Sequence, residues 1–337
     1  MKVKFMLCAM AALILGSCSG GAGEKETKQW LYTPAFGDVM ISDGFWSPMI
    51  ERNRVKTIPY VFRQCELTGR IDNFAVAGGL MKGKHTGARY NDSDVFKIIE
   101  GACYSLMESP DPDLSEYVDS IVTLIAAAQE DDGYLYTTRT IDPVNMAPGA
   151  GRERWIDERV SHELYNVGHM YEAAIAHHMA TGTSTFLDVA LKNAGLVYRE
   201  FGWGRREIAP GHQEIEIGLV KLYRLTGDRR WLELAQFFID VRGRPGEYIR
   251  HPDTSRFRVY NDSVYLQMHM PVLEQAEAVG HAVRGGYMYA AMADLSEATG
   301  YNRYLEASQR IWEDVTQKKT WAFTTSTWPP RTRSSCR

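Results

Sequence analysis

Four Thr-Gly pairs recur along the chain, and each follows a run of residues with helical apolar spacing. They lie at Thr68-Gly69, Thr181-Gly182, Thr226-Gly227 and Thr299-Gly300. Glycine in this place supplies the left-handed backbone conformation that ends a helix. An aromatic residue or a leucine soon follows and begins the next run. The repeated unit is therefore predicted to be a helical hairpin.

The apolar residues between these pairs keep a helical period, as Trp231, Leu234 and Phe238 do. About nine or ten helices are expected between Glu51 and Gln317, and strand signals are confined to residues 39–41 and short scattered pieces. Because the Thr-Gly pairs are unevenly spaced, they suit a closed ring of inner and outer helices better than an open solenoid of fixed period.

The predicted fold class is therefore all-α, an (α/α)6 toroid in which loops next to the inner helices build a site on one face. A full toroid of this kind has twelve helices, so the ring is expected to be incomplete here. The predicted domain spans residues 39–319.

Composition restricts the functions that the protein could have. The 337 residues include 45% hydrophobic and 24% charged ones, an ordinary soluble globular mixture. The net charge is −4, and the sequence has no cluster of basic residues that could bind a phosphate backbone. Nucleic acid is therefore excluded as a partner. Eight Trp and 18 Tyr are many for this length. Amphipathic rings suit a groove that binds sugars, although most of them are expected to lie in the core.

The N-terminus resembles a secretory leader. Lys2 and Lys4 precede an apolar stretch at residues 5–15, which is too short to span a bilayer and is typical of a signal peptide. Residues 1–17 are predicted to be this leader, and residues 18–38 a tether.

The sequence Leu-Gly-Ser-Cys at residues 15–18 resembles a bacterial lipoprotein processing box. Acylation of Cys18 would anchor the protein to a membrane of the cell envelope, on the outer membrane's periplasmic or surface face. The alternative is an ordinary secretory signal followed by a chance cysteine.

The remaining cysteines form no disulfide framework. Cys8 would leave with the leader, so only Cys65, Cys103 and Cys336 remain besides the acylated residue. A bridge between Cys65 and Cys103 stays open at this point.

Two carboxylates, Asp131 and Asp132, precede a glycine at the end of a helix. They could act as a general acid or base, but acids in this position more often form turns. His162-Glu163 does not begin a His-Glu-x-x-His zinc helix, because Asn166 occupies the place of the second histidine. A zinc protease is therefore disfavoured.

Three histidines follow glycine, at Gly168-His169, Gly211-His212 and Gly280-His281, and His162 lies upstream of the first. A histidine on a helix is often a structural residue. Glycine beside histidine on an inner helix would let a ligand approach the backbone, so the set is interpreted as a ring of imidazoles that hydrogen-bond sugar hydroxyls. Glu214 and Glu216 alternate and cannot share a helical face, so at most one of them is expected to face the site with His212.

Five stretches together resemble glycoside hydrolase family 127, which contains the β-L-arabinofuranosidases of plant-glycan-degrading bacteria. The resemblance runs from about Val39 to Lys319, and the sister family 146 has similar motifs. The stretches are VMISDGFWSPMIERNRVKTIPYVFRQCELTGRIDNF, DDGYLYT, SHELYNVGHMYEA, APGHQEIEIGLVKLYRLTGDRRWLELA and EAVGHAVRGGYMYAAMADL.

The resemblance implies a retaining hydrolase that removes terminal β-L-arabinofuranose from arabinose-containing oligosaccharides or polysaccharides. Members use a cysteine thiolate, held on zinc by a glutamate and three cysteines, as nucleophile, and a separate glutamate as acid and base. His162, His212 and His281 match residues that would hold the hydroxyls of the terminal furanose.

The resemblance stops after Lys319. In the family the following segment carries a Gly-Glu-Ala-Phe type motif, a Glu-x-Cys metal motif and a Cys-Cys pair, and a β-sandwich region follows the toroid. The tail at residues 320–337, TWAFTTSTWPPRTRSSCR, holds none of these motifs. The chain is thus expected to be truncated or frame-shifted, with no catalytic or metal-binding residues of its own, inactive and only marginally stable.

Two other hypotheses about the function stay open. One is a carboxylate-dependent (α/α)6 glycosidase or lyase that uses Asp131, Asp132 or Glu216. The other is a lipid-anchored glycan-binding protein without catalysis.

The lipoprotein prediction has a direct test. The chain produced with its leader should partition into the detergent phase, whereas Cys18→Ala should be released into the aqueous phase because it cannot be acylated. Equal partitioning of the two forms would contradict the prediction.

Overall fold

The computed structural model describes residues 36–244 and 262–319. The predicted leader, most of the tether including Cys18, and the tail at residues 320–337 lie outside the described residues. Within them, no helix is both long enough and apolar enough to cross a membrane.

The described residues contain thirteen α-helices. Their bounds are α1 Trp46–Arg52, α2 Ile58–Leu67, α3 Arg70–Ala77, α4 Asp92–Glu108, α5 Pro112–Ala128, α6 Thr137–Ile141, α7 Glu158–Ser161, α8 Glu163–Thr181, α9 Thr185–Glu200, α10 Ile215–Thr226, α11 Arg229–Val241, α12 Ala282–Thr299 and α13 Asn302–Asp314.

Ten of these helices form five successive hairpins: α2/α3, α4/α5, α8/α9, α10/α11 and α12/α13. Helices α4, α8, α10 and α12 pack against one another in series and form an inner row. Their partners α5, α9, α11 and α13 lie outside. The predicted all-α toroid class is confirmed, and the hairpin helices match the predicted number.

Burial separates the two rows. Every residue of α8 from Glu163 to His177 is buried, so this helix has no solvent face. Helix α11 instead buries one side, which includes Trp231, Leu234 and Phe238, and exposes the other. A helix that is enclosed all round belongs inside, and a helix with one apolar stripe belongs to the outer layer. Polar groups on α8 must therefore find partners inside the protein.

The four Thr-Gly pairs end helices as predicted. Gly69, Gly182, Gly227 and Gly300 have φ angles of 69°, 73°, 71° and 71°. In each pair the threonine hydroxyl donates to the carbonyl four residues earlier. In the last three pairs it also accepts from the amide two residues later. Threonine and glycine together thus satisfy the backbone groups that a helix end leaves open.

The strand prediction at residues 39–41 is wrong. Val39, Met40 and Ile41 are exposed and irregular, and the described residues hold only one isolated bridge, between Phe201 and Arg206. Alternating apolar residues form a strand only where a neighbouring strand accepts their backbone hydrogen bonds. The helices offer none here.

Because these helices end in the left-handed conformation, a side chain in place of the glycine should lower the free energy of unfolding. Gly227→Ala should lower the free energy of unfolding by about 1–2 kcal/mol, because an alanine would have to adopt φ near 71°. No other atom lies within 4 Å of the added methyl group, so the loss would report backbone conformation alone. Urea unfolding measures it.

Gly101→Ala is the matched control. Gly101 lies inside α4, and the added methyl group would also meet open space. There alanine should stabilise the protein by about 0.5–1 kcal/mol. Equal effects of the two substitutions would contradict the assignment of Gly227 as a conformational stop.

Candidate functional site

The three predicted histidines lie side by side. His162 directly precedes α8, His281 directly precedes α12, and His212 lies in the loop just before α10. The ring centres of His162 and His212 are 5.6 Å apart, and those of His212 and His281 are 6.0 Å apart. The N-terminal ends of three inner helices thus converge on one place.

Two tyrosines complete this group. Tyr165 lies in the first turn of α8, with its ring centre 4.4 Å from that of His212, and Tyr287 of α12 lies 5.6 Å from His212. We call His162, His212, His281, Tyr165 and Tyr287 the ring cluster. Sequence reasoning missed both tyrosines, because an aromatic residue on an inner helix looks like a core residue.

Backbone contacts fix the tautomers of the histidines. Nδ1 of His162 lies 2.6 Å from the Val160 carbonyl, and Nδ1 of His212 lies 2.8 Å from the Gln213 carbonyl. A carbonyl only accepts, so both Nδ1 atoms carry the proton and both Nε2 atoms are acceptors. In His281, Nδ1 accepts from the Arg284 amide at 3.3 Å, which makes Nε2 a donor.

The histidines are held neutral. Burial lowers the pKa of His162 well below its usual value, and the Arg284 guanidinium lowers it further. Burial and Arg284 likewise lower the pKa of His212 to about 3. The pKa of His281 is lowered by the same two causes. The ring cluster therefore offers hydrogen bonds without positive charge on its imidazoles at neutral pH.

Arg284 connects two parts of the cluster. Its side chain is buried, donates to the Gly211 carbonyl and lies over the Tyr265 ring. Its backbone amide donates to Nδ1 of His281, which thereby caps the start of α12. One residue thus fixes the loop before His212 and the orientation of His281.

His162 has an unusual backbone. Its φ of 66° is left-handed, a conformation that few residues other than glycine adopt, although histidine is among those that do so more often. The residue ends α7 and begins α8. The following Glu163 accepts from the Trp155 amide at 2.9 Å and from the Tyr134 hydroxyl, and these contacts hold the helix start in place.

The glycines that precede the histidines allow the close approach of other protein atoms, not of a ligand. The sequence interpretation of these glycines is therefore wrong. A methyl group on Gly168 would lie 2.7 Å from the Ile215 amide nitrogen, and one on Gly211 would lie 2.1 Å from Cα of Arg159. One on Gly280 would lie 2.1 Å from the Val264 carbonyl oxygen. Backbone segments approach each other closely at all three positions.

The carboxylates of the alternative mechanism do not gather at the ring cluster. Asp132 is exposed, accepts from the Tyr134 amide in a turn and pairs with Arg154 at 2.5 Å. Asp131 is exposed beside it. Glu216 is buried, accepts from the Glu214 amide and lies 3.7 Å from Arg242. Asp132 and Glu216 thus have structural roles, at a turn and at a helix start.

Glu214 and Glu216 point to different partners, as predicted from their spacing. Oε1 of Glu214 lies 3.2 Å from Nδ1 of His169, and both residues are buried. His169 contacts the rings of Tyr165 and Tyr287, at centre distances of 4.7 Å and 5.8 Å. Glu214 is thus connected to the ring cluster through His169.

The described cysteines do not fit a zinc-thiolate site. Cys65 and Cys103 are free and buried in the apolar core, so no disulfide joins them. Burial raises the pKa of Cys65 to about 11 and that of Cys103 to about 12. Both are thiols at neutral pH and poor metal ligands. The zinc site implied by the resemblance is therefore not built from the described residues, and Cys336 lies outside them.

The close approach at Gly168 predicts a packing defect. Gly168→Ala should destabilise the protein by about 1–3 kcal/mol, because the added methyl group would overlap Ile215 backbone atoms that cannot move aside. Gly286→Ala, on α12 with open space around the methyl group, should cost nothing. Unchanged melting of Gly168→Ala would show that the helices separate easily.

Comparison with known proteins identifies the family. The catalytic-domain model of the β-L-arabinofuranosidases of glycoside hydrolase family 127 matches residues 38–325. A non-reducing end β-L-arabinofuranosidase of Bifidobacterium longum subsp. longum is 37% identical over 260 residues, which cover 74% of this chain and 39% of that protein.

Two solved structures are similar as well. A family 127 β-arabinofuranosidase is 46% identical with a TM-score of 0.75, over 83% of this chain and 43% of its own. A family 127 β-L-arabinofuranosidase from Geobacillus stearothermophilus T6 is 38% identical with a TM-score of 0.75, over 82% of this chain and 45% of its own. The chain spans less than half the length of these relatives, and it belongs to glycoside hydrolase family 127.

Proposed function

We propose that the ring cluster binds the terminal β-L-arabinofuranose of a plant glycan. The observation that carries this proposal is the set of three adjacent neutral imidazoles with defined tautomers. Nε2 of His162 and Nε2 of His212 accept from two sugar hydroxyls, and Nε2 of His281 donates to a third oxygen. Tyr165 and Tyr287 offer ring surface to the apolar face of the sugar.

The electrostatics favour a neutral sugar. Burial keeps the imidazoles uncharged, and the guanidinium of Arg284 is directed to the Gly211 carbonyl. An acidic sugar would need a cation to replace its hydration, and the nearby Lys97 ammonium already donates to the Tyr165 and Ser93 hydroxyls. A lyase acting on uronic acids through Asp131 or Asp132 is therefore disfavoured, because these residues lie in an exposed turn.

The proposed reaction is hydrolysis with retention of configuration, by the two-step route of the family. Its first step needs a nucleophile at the anomeric carbon and an acid at the leaving oxygen. The neutral histidines supply neither, and the described thiols lie in the apolar core. We therefore assign binding and orientation of the furanose to the histidines. We expect no turnover by the 337-residue chain.

Glycan binding without hydrolysis is the second candidate. It is favoured by the same observation, since the ring cluster is complete among the described residues while no described thiol lies at it. The cell-envelope location and lipid anchor remain part of the proposal and rest on the residues before and at Cys18.

Calorimetry with methyl β-L-arabinofuranoside tests the binding site. The chain should bind this sugar, and His212→Ala should weaken binding about tenfold, since a buried hydrogen bond contributes roughly 0.5–1.5 kcal/mol and truncation leaves its partners unsatisfied. His178→Ala, at the other end of α8, is the control and should bind as the unmodified chain does.

The pH dependence gives a second readout. Because the pKa of each histidine in the ring cluster is lowered, the three imidazoles stay neutral as the pH falls through 6.5, and affinity should not change there. Affinity that changes near pH 6.5 would contradict neutral recognition. Turnover of an aryl β-L-arabinofuranoside that is lost in Asp132→Asn would favour the carboxylate mechanism instead.

A further inference from the structure

We propose that His169, Glu172 and Glu214 bind a divalent transition-metal ion directly beneath the ring cluster. His169 and Glu172 lie one turn apart on α8, and Glu214 is the residue just before α10. One donor atom from each residue lies within 4.8 Å of the other two. All three side chains are buried.

The donor atoms lack other partners. Both ring nitrogens of His169 and both carboxylate oxygens of Glu214 are enclosed and accept or donate no hydrogen bond. His169 is 3% exposed and Glu214 is 0% exposed, so bulk solvent does not satisfy them. Leaving such groups unpaired inside a protein is costly. A bound ion would satisfy the His169 and Glu214 atoms that face each other.

The geometry fits a metal better than a shared proton. Nδ1 of His169 lies 3.2 Å from Oε1 of Glu214 and 3.7 Å from Oε2 of Glu172. The first distance would suit a hydrogen bond, yet the directions do not. Two ligands bound tetrahedrally at about 2.1 Å from an ion lie about 3.4 Å apart, with neither on the other's lone-pair axis. The observed spacings lie on either side of this value.

No lysine or arginine in the described part of the chain forms an ion pair with Glu214. Lys221 pairs with Oε1 of Glu172 and lies 3.6 Å from Glu100. Lys97, the other nearby ammonium, donates to the Tyr165 hydroxyl at 2.7 Å and to Ser93 at 3.2 Å. Among the described residues, Oε2 of Glu172 and the carboxylate of Glu214 have no ammonium or guanidinium partner, so a metal ion would supply the positive charge between them. One imidazole nitrogen with carboxylate oxygens suits Zn²⁺ or a similar first-row ion.

This site differs from the zinc-thiolate centre that the family resemblance implies, since it contains no sulfur. Its position gives it a structural role. His169 packs against Tyr165 and Tyr287. An ion bound to Nδ1 would fix the His169 ring beneath these two tyrosines, and it would join α8 to the start of α10. Sequence reasoning expected no metal here because it found no local cluster of ligands: Glu172 lies on α8, whereas Glu214 lies just before α10.

Calorimetry with Zn²⁺ on the chelator-treated full chain tests the proposal. We expect one Zn²⁺ per chain and a rise in melting temperature on its addition. Glu214→Gln and His169→Asn should each weaken Zn²⁺ binding at least tenfold. Co²⁺ substitution should give a spectrum without thiolate charge-transfer bands, which separates this site from any bound by cysteines.

His177→Gln is the matched control. His177 is also buried on α8 and lies 2.7 Å from Asp119, but no third ligand from residues 36–244 or 262–319 joins them. Its Zn²⁺ affinity should equal that of the unmodified chain. Metal-free Glu214→Gln should melt no lower than the metal-free chain, because the amide has the size of the carboxyl group and brings no charge into its buried position, and this shows that the variant folds.

Two results would overturn the proposal. The first is Zn²⁺ binding that is the same in the unmodified chain, Glu214→Gln and His169→Asn. The second is no Zn²⁺ uptake by the unmodified chain, which would favour a proton shared between Glu172 and Glu214 instead.

Discussion

The contact between α8 and α10 at two glycines determines the arrangement of the site. A methyl group on Gly168 would overlap the start of α10, and one on Gly218 would lie 2.7 Å from the Gly168 carbonyl oxygen. At such a short separation the side chains near the starts of both helices cannot avoid each other. His162, Tyr165 and His169 come from one helix, and His212 and Glu214 precede the other. Their proximity follows from backbone packing.

The same packing sets their chemistry. Enclosure disfavours charge, so it lowers the pKa of His162, His169 and His212 and raises the pKa of Glu214 well above its usual value. Imidazoles held neutral in this way can donate and accept hydrogen bonds but are not proton donors for catalysis at neutral pH. The imidazoles at the starts of the inner helices therefore suit recognition rather than proton transfer.

Local rules predicted much of the fold. Each Thr-Gly pair acts within one turn of its own helix, so the hairpins could be predicted from neighbouring residues alone. The imidazole set was found as well, through His162, His212 and His281, although their positions at helix starts were not. Gly168 shows why the rest could not be predicted. Its role depends on contact with Ile215 of another helix, and the residues around Gly168 in the sequence do not predict that contact.

The hairpins also explain why the site lies on one face. At each Thr-Gly pair, a connection of two or three residues that includes the glycine joins the two helices of the hairpin: Gly182–Ser184, for example, join α8 to α9. Long irregular segments precede the inner helices instead, such as residues 201–214 before α10 and residues 142–157 before α7 and α8. Inner helices that follow one another in the same direction bring these long segments to one end. A helix of 19 residues such as α8 is about 28 Å long, so the tight turns that fix the hairpins lie far from the ring cluster. Sequence changes in the long segments can thus alter what is bound without disturbing the turns that hold the helices together.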